Sequence, residues 1–86
     1  MSTYGERLQE ATGRQVRAER AALGMTQAEL AEKLGKEKQT VMRYENGKRD
    51  IPIDDLAAMA SAFGIDVLEL LRRAQQRVQK VDDIDA

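Results

Sequence analysis

The stretch TQAELAEKLGKEKQTVMRYENGKR, Thr26 to Arg49, decides how the chain is to be read. Thr26 and Glu29 have the spacing of a capping box: the threonine hydroxyl accepts from the Glu29 amide, and the carboxylate reaches back to the Thr26 amide. Leu30 and Leu34 follow four residues apart, and Gly35 stops the helix. Ala31, small and on the apolar side, lets a neighbouring helix cross close by. A second helix is expected from about Glu37 to Asn46, with Asn46-Gly47 as its end. Counting about 100° per residue from Val41, Tyr44 falls near −60° and Glu45 near +40°, so these three face inward or sideways. Gln39 (about 160°), Arg43 (about 200°), Asn46 (about 140°) and Met42 (about 100°) form the outer face, with Lys38 at its N-terminal shoulder. The result is a pair of short helices around a glycine turn, the second carrying its long polar side chains away from the core.

The flanking segments read as its support. Thr3-Tyr4-Gly5-Glu6 offers another capping box. Leu8, Thr12, Val16 and Leu23, with the stems of Gln15 and Arg20, give a weak stripe for a helix over about Glu6 to Ala22. Gly13 weakens that helix, since glycine in a helix interior costs ~1 kcal/mol against alanine. Ile51 precedes Pro52 and is expected to be extended. A fourth helix begins near Asp54, with Asp54 and Asp55 favourable in its first turn and Leu56, Met59, Ala60 and Phe63 as its stripe. Gly64 ends it, Ile65 packs back across that end, and Asp66 to Glu69 start a fifth helix. Past Leu71, the residues Val67, Leu71, Ala74, Val78 and Val81 are spaced 4, 3, 4, 3, the rhythm of a helical seam about two heptads long. This seam reads either as a dimerisation helix or as an extension of helix five; Asp82 to Ala86 are expected to be disordered. The division is an N-terminal extension over 1–11, partly helical, a domain over 12–71, and a C-terminal extension over 72–86, helical to about 81.

Composition narrows the function classes. Eighty-six residues make one domain near the lower size limit for a self-sufficient core. There is no cysteine and no histidine, which removes disulfides, the usual zinc ligands and the commonest general base. An enzyme is not expected, and neither is a metal or other cofactor. No run of about 18 apolar residues is present, so no membrane contact is expected, and the N-terminus lacks a signal-peptide pattern, which makes cytoplasmic the default. The net charge of −1 argues against indiscriminate nucleic-acid binding, but the charges are segregated. Residues 36–49 balance at +3 and residues 50–71 at −5, implying a basic face and an acidic back.

These pieces together resemble the Cro and phage-repressor type (lambda repressor-like) of helix-turn-helix domain. The matching stretches are RAALGMTQAELAEKLG, TVMRYENGKR and IPIDDLAAMASAFGIDVLELL. The resemblance implies an all-α, five-helix bundle with the helix-turn-helix at helices two and three, here followed by a C-terminal helical extension. It also implies a sequence-specific regulator of transcription, a repressor or Cro-like switch, bound to double-stranded DNA as a homodimer on an inverted repeat; no small-molecule ligand is expected. Carried over by position, Lys38, Gln39 and Arg43 match base-reading residues of a recognition helix in the major groove, and Met42 flanks them. Gln27, Lys36, Thr40, Asn46, Lys48 and Arg49 match or adjoin backbone-contacting positions, with Arg14 and Arg17 as weaker candidates. Arg20 and Glu45 match an internal ion pair between helices one and three.

Glutamine can pair with adenine N6 and N7, and arginine with guanine O6 and N7, each discriminating by ~1–3 kcal/mol. Two residues depart from the family pattern. Lys36 replaces a small aliphatic residue and is expected to lay its stem over the core with its ammonium towards phosphate. Glu37 replaces the usual Ser or Thr cap and would repel DNA unless it bonds a cytosine amino group or pairs with Lys36 or Lys38. The runner-up function is a protein-interaction module, antitoxin-like or an adaptor, using the acidic back over residues 50–71.

Overall fold

The computed structural model describes residues 2–85, with side-chain surroundings through Val78. Five helices and no strand are present among them: α1 (Tyr4–Ala22), α2 (Gln27–Leu34), α3 (Lys38–Glu45), α4 (Ile53–Phe63) and α5 (Val67–Asp85). The first two start on reciprocal capping boxes, Thr3 with Glu6 and Thr26 with Glu29. Each hydroxyl accepts from the third helical amide while the glutamate accepts from the cap amide. These bonds hold both carboxyls below their ordinary value. The Thr3 box carries α1 back to Tyr4, two residues before the expected start. Gly35 and Gly64 adopt left-handed φ values of 67° and 73°, which let the next amide reach back. Lys36 and Ile65 accordingly donate to the Ala31 and Ala60 carbonyls. At the start of α5, the Asp66 carboxylate accepts from the Leu68 amide at 2.7 Å.

The apolar stripes of all five helices meet in one core, with Val16, Leu30, Val41, Tyr44, Met59 and Leu70 at its centre. Each large side chain fully removed from water contributes roughly 1.5–3 kcal/mol. Ala31 is buried on α2, which packs on both α3 and α4. Leu23, by contrast, is 55% exposed and lies outside the core. The extended residues before α4 are tied to α1, since the Ile51 amide donates to Gln9 Oε1 at 2.9 Å.

The most extensive helix packing joins the first helix to the last. Arg73 donates to both oxygens of Glu19 at 2.8 Å, and Arg77 Nε donates to Gln15 Oε1, so the two pairings run antiparallel. This packing involves the expected seam, which the sequence leaves open between a dimerisation helix and an extension of helix five. Ala74 is 0% exposed and Val78 is 5% exposed within the single chain, while Val67 and Leu71 are half-buried against the core. Their apolar face is already covered by the chain itself; the Val81 side chain lies outside the described surroundings. The expected domain boundaries at 11/12 and 71/72 fall inside α1 and α5, both continuous helices. α5 extends to Asp85, beyond the expected end near 81, and Ala86 lies outside the described residues.

Candidate nucleic-acid interface

The wheel of α3 is realised in its burial. Val41, Tyr44 and Glu45 are 0%, 1% and 3% exposed, whereas Lys38, Gln39, Met42, Arg43 and Asn46 are exposed and Thr40 is half-buried. Met42 is among the few large apolar side chains left facing solvent. An eight-residue helix has little stability by itself, so its orientation depends on what grips its inner face.

Three attachments supply that grip. Glu45 accepts from Arg20 Nε at 2.7 Å and Nη2 at 3.0 Å, a bidentate pair, and from Gln27 Nε2 at 3.0 Å. The same guanidinium donates through Nη1 to the Met25 carbonyl at 2.8 Å, so one cluster fixes α1, the turn before α2, and α3. The bond to Glu45 raises the Arg20 pKa. Next, the Tyr44 hydroxyl donates to Asp55 Oδ2 at 2.6 Å in the core between α3 and α4. Burial, then this bond, push the phenol up to about 12. Arg49 lies 5.8 Å from the Tyr44 ring centroid, within cation–π range. The third attachment is backbone on backbone. A Cβ placed on Gly13 would overlap the Tyr44 carbonyl oxygen and sit 3.4 Å from Glu45 Cα. Only glycine at this position lets α1 seat the end of α3 so closely.

The remaining candidate residues fall into place around α3. Lys48 and Arg49 follow its C-terminus and are exposed. At its other end, Lys38 lines an open recess together with Arg17, Thr26 and Gln27 at the start of α2. Gln27 is half-buried because it serves Glu45, but an amide nitrogen carries two protons and one remains for another acceptor. Lys36 stands exposed, and Leu34 is half-buried against the core. Glu37 occupies the cap position of α3 without a side-chain cap bond, and it forms no ion pair with Lys36 or Lys38.

The acidic back is more dispersed than the sequence balance suggests. Asp55 is buried beneath Tyr44, and Glu69 bonds Arg72 and Arg73, which hold its carboxyl down at about 2. Asp50, Asp54 and Asp66 remain exposed. Among the described residues no group of acids could hold a metal ion, and no helix is long and apolar enough to cross a membrane.

Sequence reasoning missed Gly13 and Asp55 as parts of the α3 mounting. Gly13 carried a signal, an unexplained glycine inside a helix, that was read only as a weakness. The acid at 55 was accounted for by the helix dipole, so nothing called for a buried partner.

Comparison with known proteins agrees with this architecture. A helix-turn-helix family model matches residues 16–70. The clp gene regulator ClgR from Corynebacterium glutamicum superposes with a TM-score of 0.84 at 29% identity, covering 91% of this chain and 84% of that one. That likeness therefore takes in more than the family core. The restriction-modification controller protein C.AhdI from Aeromonas hydrophila gives a TM-score of 0.67 at 30% identity over 71% of this chain and 92% of its own. A hypothetical transcription factor, NHTF, from Neisseria gives 0.72 at 28% identity, covering 84% and 83%. With five helices, a mounted α2–α3 pair and these relatives, the chain belongs to the Cro/C1-type helix-turn-helix family of DNA-binding transcriptional regulators.

Proposed function

We propose that the chain is a sequence-specific repressor or Cro-like switch protein that reads the major groove of double-stranded DNA with residues 37–46. The observation that carries this is the division of α3: its inner face is locked to three other helices, while Gln39, Met42 and Arg43 stand together on the outer one. A side chain discriminates between bases only if its backbone is held still, because bidentate pairing with a base edge depends on geometry. Arg43 is assigned to guanine, Gln39 to adenine and Met42 to a thymine methyl, with Lys38 at the edge of the same set. Gln27, Lys36, Thr40, Asn46, Lys48 and Arg49 are assigned to the phosphate backbone, where they position the helix and strengthen binding without specifying sequence.

The active form is proposed to be a homodimer on an inverted repeat whose half-sites lie about one helical turn, ~34 Å, apart. Because Ala74 and Val78 are covered within the chain, a surface other than these two residues is proposed to join the two copies. No cofactor enters this reading.

Selection of bound duplexes from a random pool tests binding, half-site spacing and symmetry together. The expected result is a palindromic consensus. On the selected duplex, Arg43→Ala and Gln39→Ala should each relax the preference at one position per half-site by ~1–3 kcal/mol. Parent-like binding and specificity by both variants would remove the base-reading assignment.

A further inference from the structure

The three arginines of α5 are not equivalent. Arg72 bonds Glu69, and Arg73 is shared between Glu69 and Glu19, so both charges are matched by carboxylates. Arg77 is exposed, and its hydrogen bond goes to the neutral amide oxygen of Gln15. Among the described residues it has no carboxylate partner. The fold brings this cation to an open recess that also takes in Arg14, Arg17 and Asn46, with Glu10 and Glu45 as the acids on its walls. Both acids are spent: Glu10 pairs with Arg14 at 2.8 Å, and Glu45 with Arg20. Among the described residues, Arg17 and Arg77 are left without a carboxylate partner.

The position of this recess matters as much as its charge. Asn46 belongs to the outer face of α3, and Arg17 also lines the recess at the start of α2 beside Lys38. Arg17 is thus common to both recesses and links Lys38 at the N-terminal end of α3, across α1, to Arg77.

We infer that Arg77 binds a DNA backbone phosphate alongside Arg17 and Asn46, so that the DNA footprint extends onto the last helix. Gln15 holds the guanidinium through Nε, and the terminal nitrogens remain as donors, the end that meets a phosphate. The inference rests on the proposed function, and the experiment separates the two. Affinity for a selected duplex and for an unrelated one is measured by fluorescence anisotropy between about 50 and 200 mM salt. Each phosphate contact adds about 0.9 to the slope of log affinity against log salt. Arg77→Gln should flatten the slope by about one on both duplexes, so that it loses about 3-fold less affinity than the parent across that range. Arg77→Lys should keep the parental slope. Gln15→Met removes the acceptor but no charge, and should also keep it.

An Arg77→Gln slope equal to that of a binding parent overturns the inference. So does a Gln15→Met slope as flat as that of Arg77→Gln, which would make Arg77 a clasp between helices. A parent that binds neither duplex overturns the function proposed above and the inference with it.

Discussion

At the C-terminal end of α3, Glu45 is held by Arg20 and Gln27, Tyr44 by Asp55, and the backbone rests on Gly13. At the N-terminal end, Lys36, Glu37 and Lys38 are exposed, and Glu37 fills the cap position with no side-chain bond. The two ends lie eight residues apart and meet different demands. The first end sets the angle at which the helix leaves the body, so its cost in buried polar groups is offset by making every one of them bonded. The second end faces outward with three long charged side chains, which can rearrange around whatever sits opposite. A helix of this build is stiff where it is mounted and adaptable at its open end.

Breaking the mounted end should have the largest effects. Arg20→Ala leaves the buried Glu45 carboxylate with Gln27 as its remaining partner, and should cost about 3–5 kcal/mol in urea denaturation. A loss below ~1 kcal/mol would mean that the pair is not what fixes α3. Alkaline pH attacks the same end through Tyr44. Its phenol is raised from 10.0 to about 12, so the folded state favours the protonated form. The associated stability, about 3 kcal/mol, is fully present below pH 10 and is lost as the pH rises towards 12. Ultraviolet titration of a Tyr4→Phe variant, with Tyr44 as its single tyrosine, checks this; ionisation near 10 in the folded protein would contradict the buried bond.

Gly13→Ala should destabilise by about 1–3 kcal/mol despite alanine's better helix propensity, because the new methyl overlaps the Tyr44 carbonyl. Thermal melting that leaves the midpoint unchanged or higher would show that α1 and α3 can part without penalty. The smallest effect belongs to the open end. Glu37→Ser supplies the absent cap and should add about 0.5–1 kcal/mol to stability. It also removes an anion from the end of the helix proposed to face DNA, and should tighten binding at low salt. If the variant instead loses affinity for one duplex sequence only, Glu37 is a reading residue, and the contrast between the ends becomes sharper still.

What the sequence disclosed about this contrast follows from the range of each signal. Capping boxes at Thr3 and Thr26 need three residues to be recognised, and the inner face of α3 needs one turn of periodicity. Those features were legible, and so were the glycine ends of α2 and α4 and the stripe of α4. The mounting of α3 was legible only where a family resemblance paired Arg20 with Glu45. Gly13 contacts a residue 31 positions away, and no local rule links a helix glycine to a distant carbonyl. Asp55 satisfied a local rule so well that its burial was hidden. The seam of residues 67–78 shows the same gap from the other side. Spacing identifies an apolar face, but it does not say whether a second molecule or the chain's own α1 covers it.

The clasp of α1 by α5 also orders events while the chain is being made. Glu19 waits for Arg73, 54 residues downstream, and Gln15 for Arg77, 62 residues downstream. At synthesis rates of about 5–20 residues per second, that is an interval of several seconds to over ten. Until then the face of α1 that carries Gln15 and Glu19 lacks the partners that α5 brings to it. The clasp between α1 and α5 is therefore a contact that can form only after α2, α3 and α4 have been synthesised.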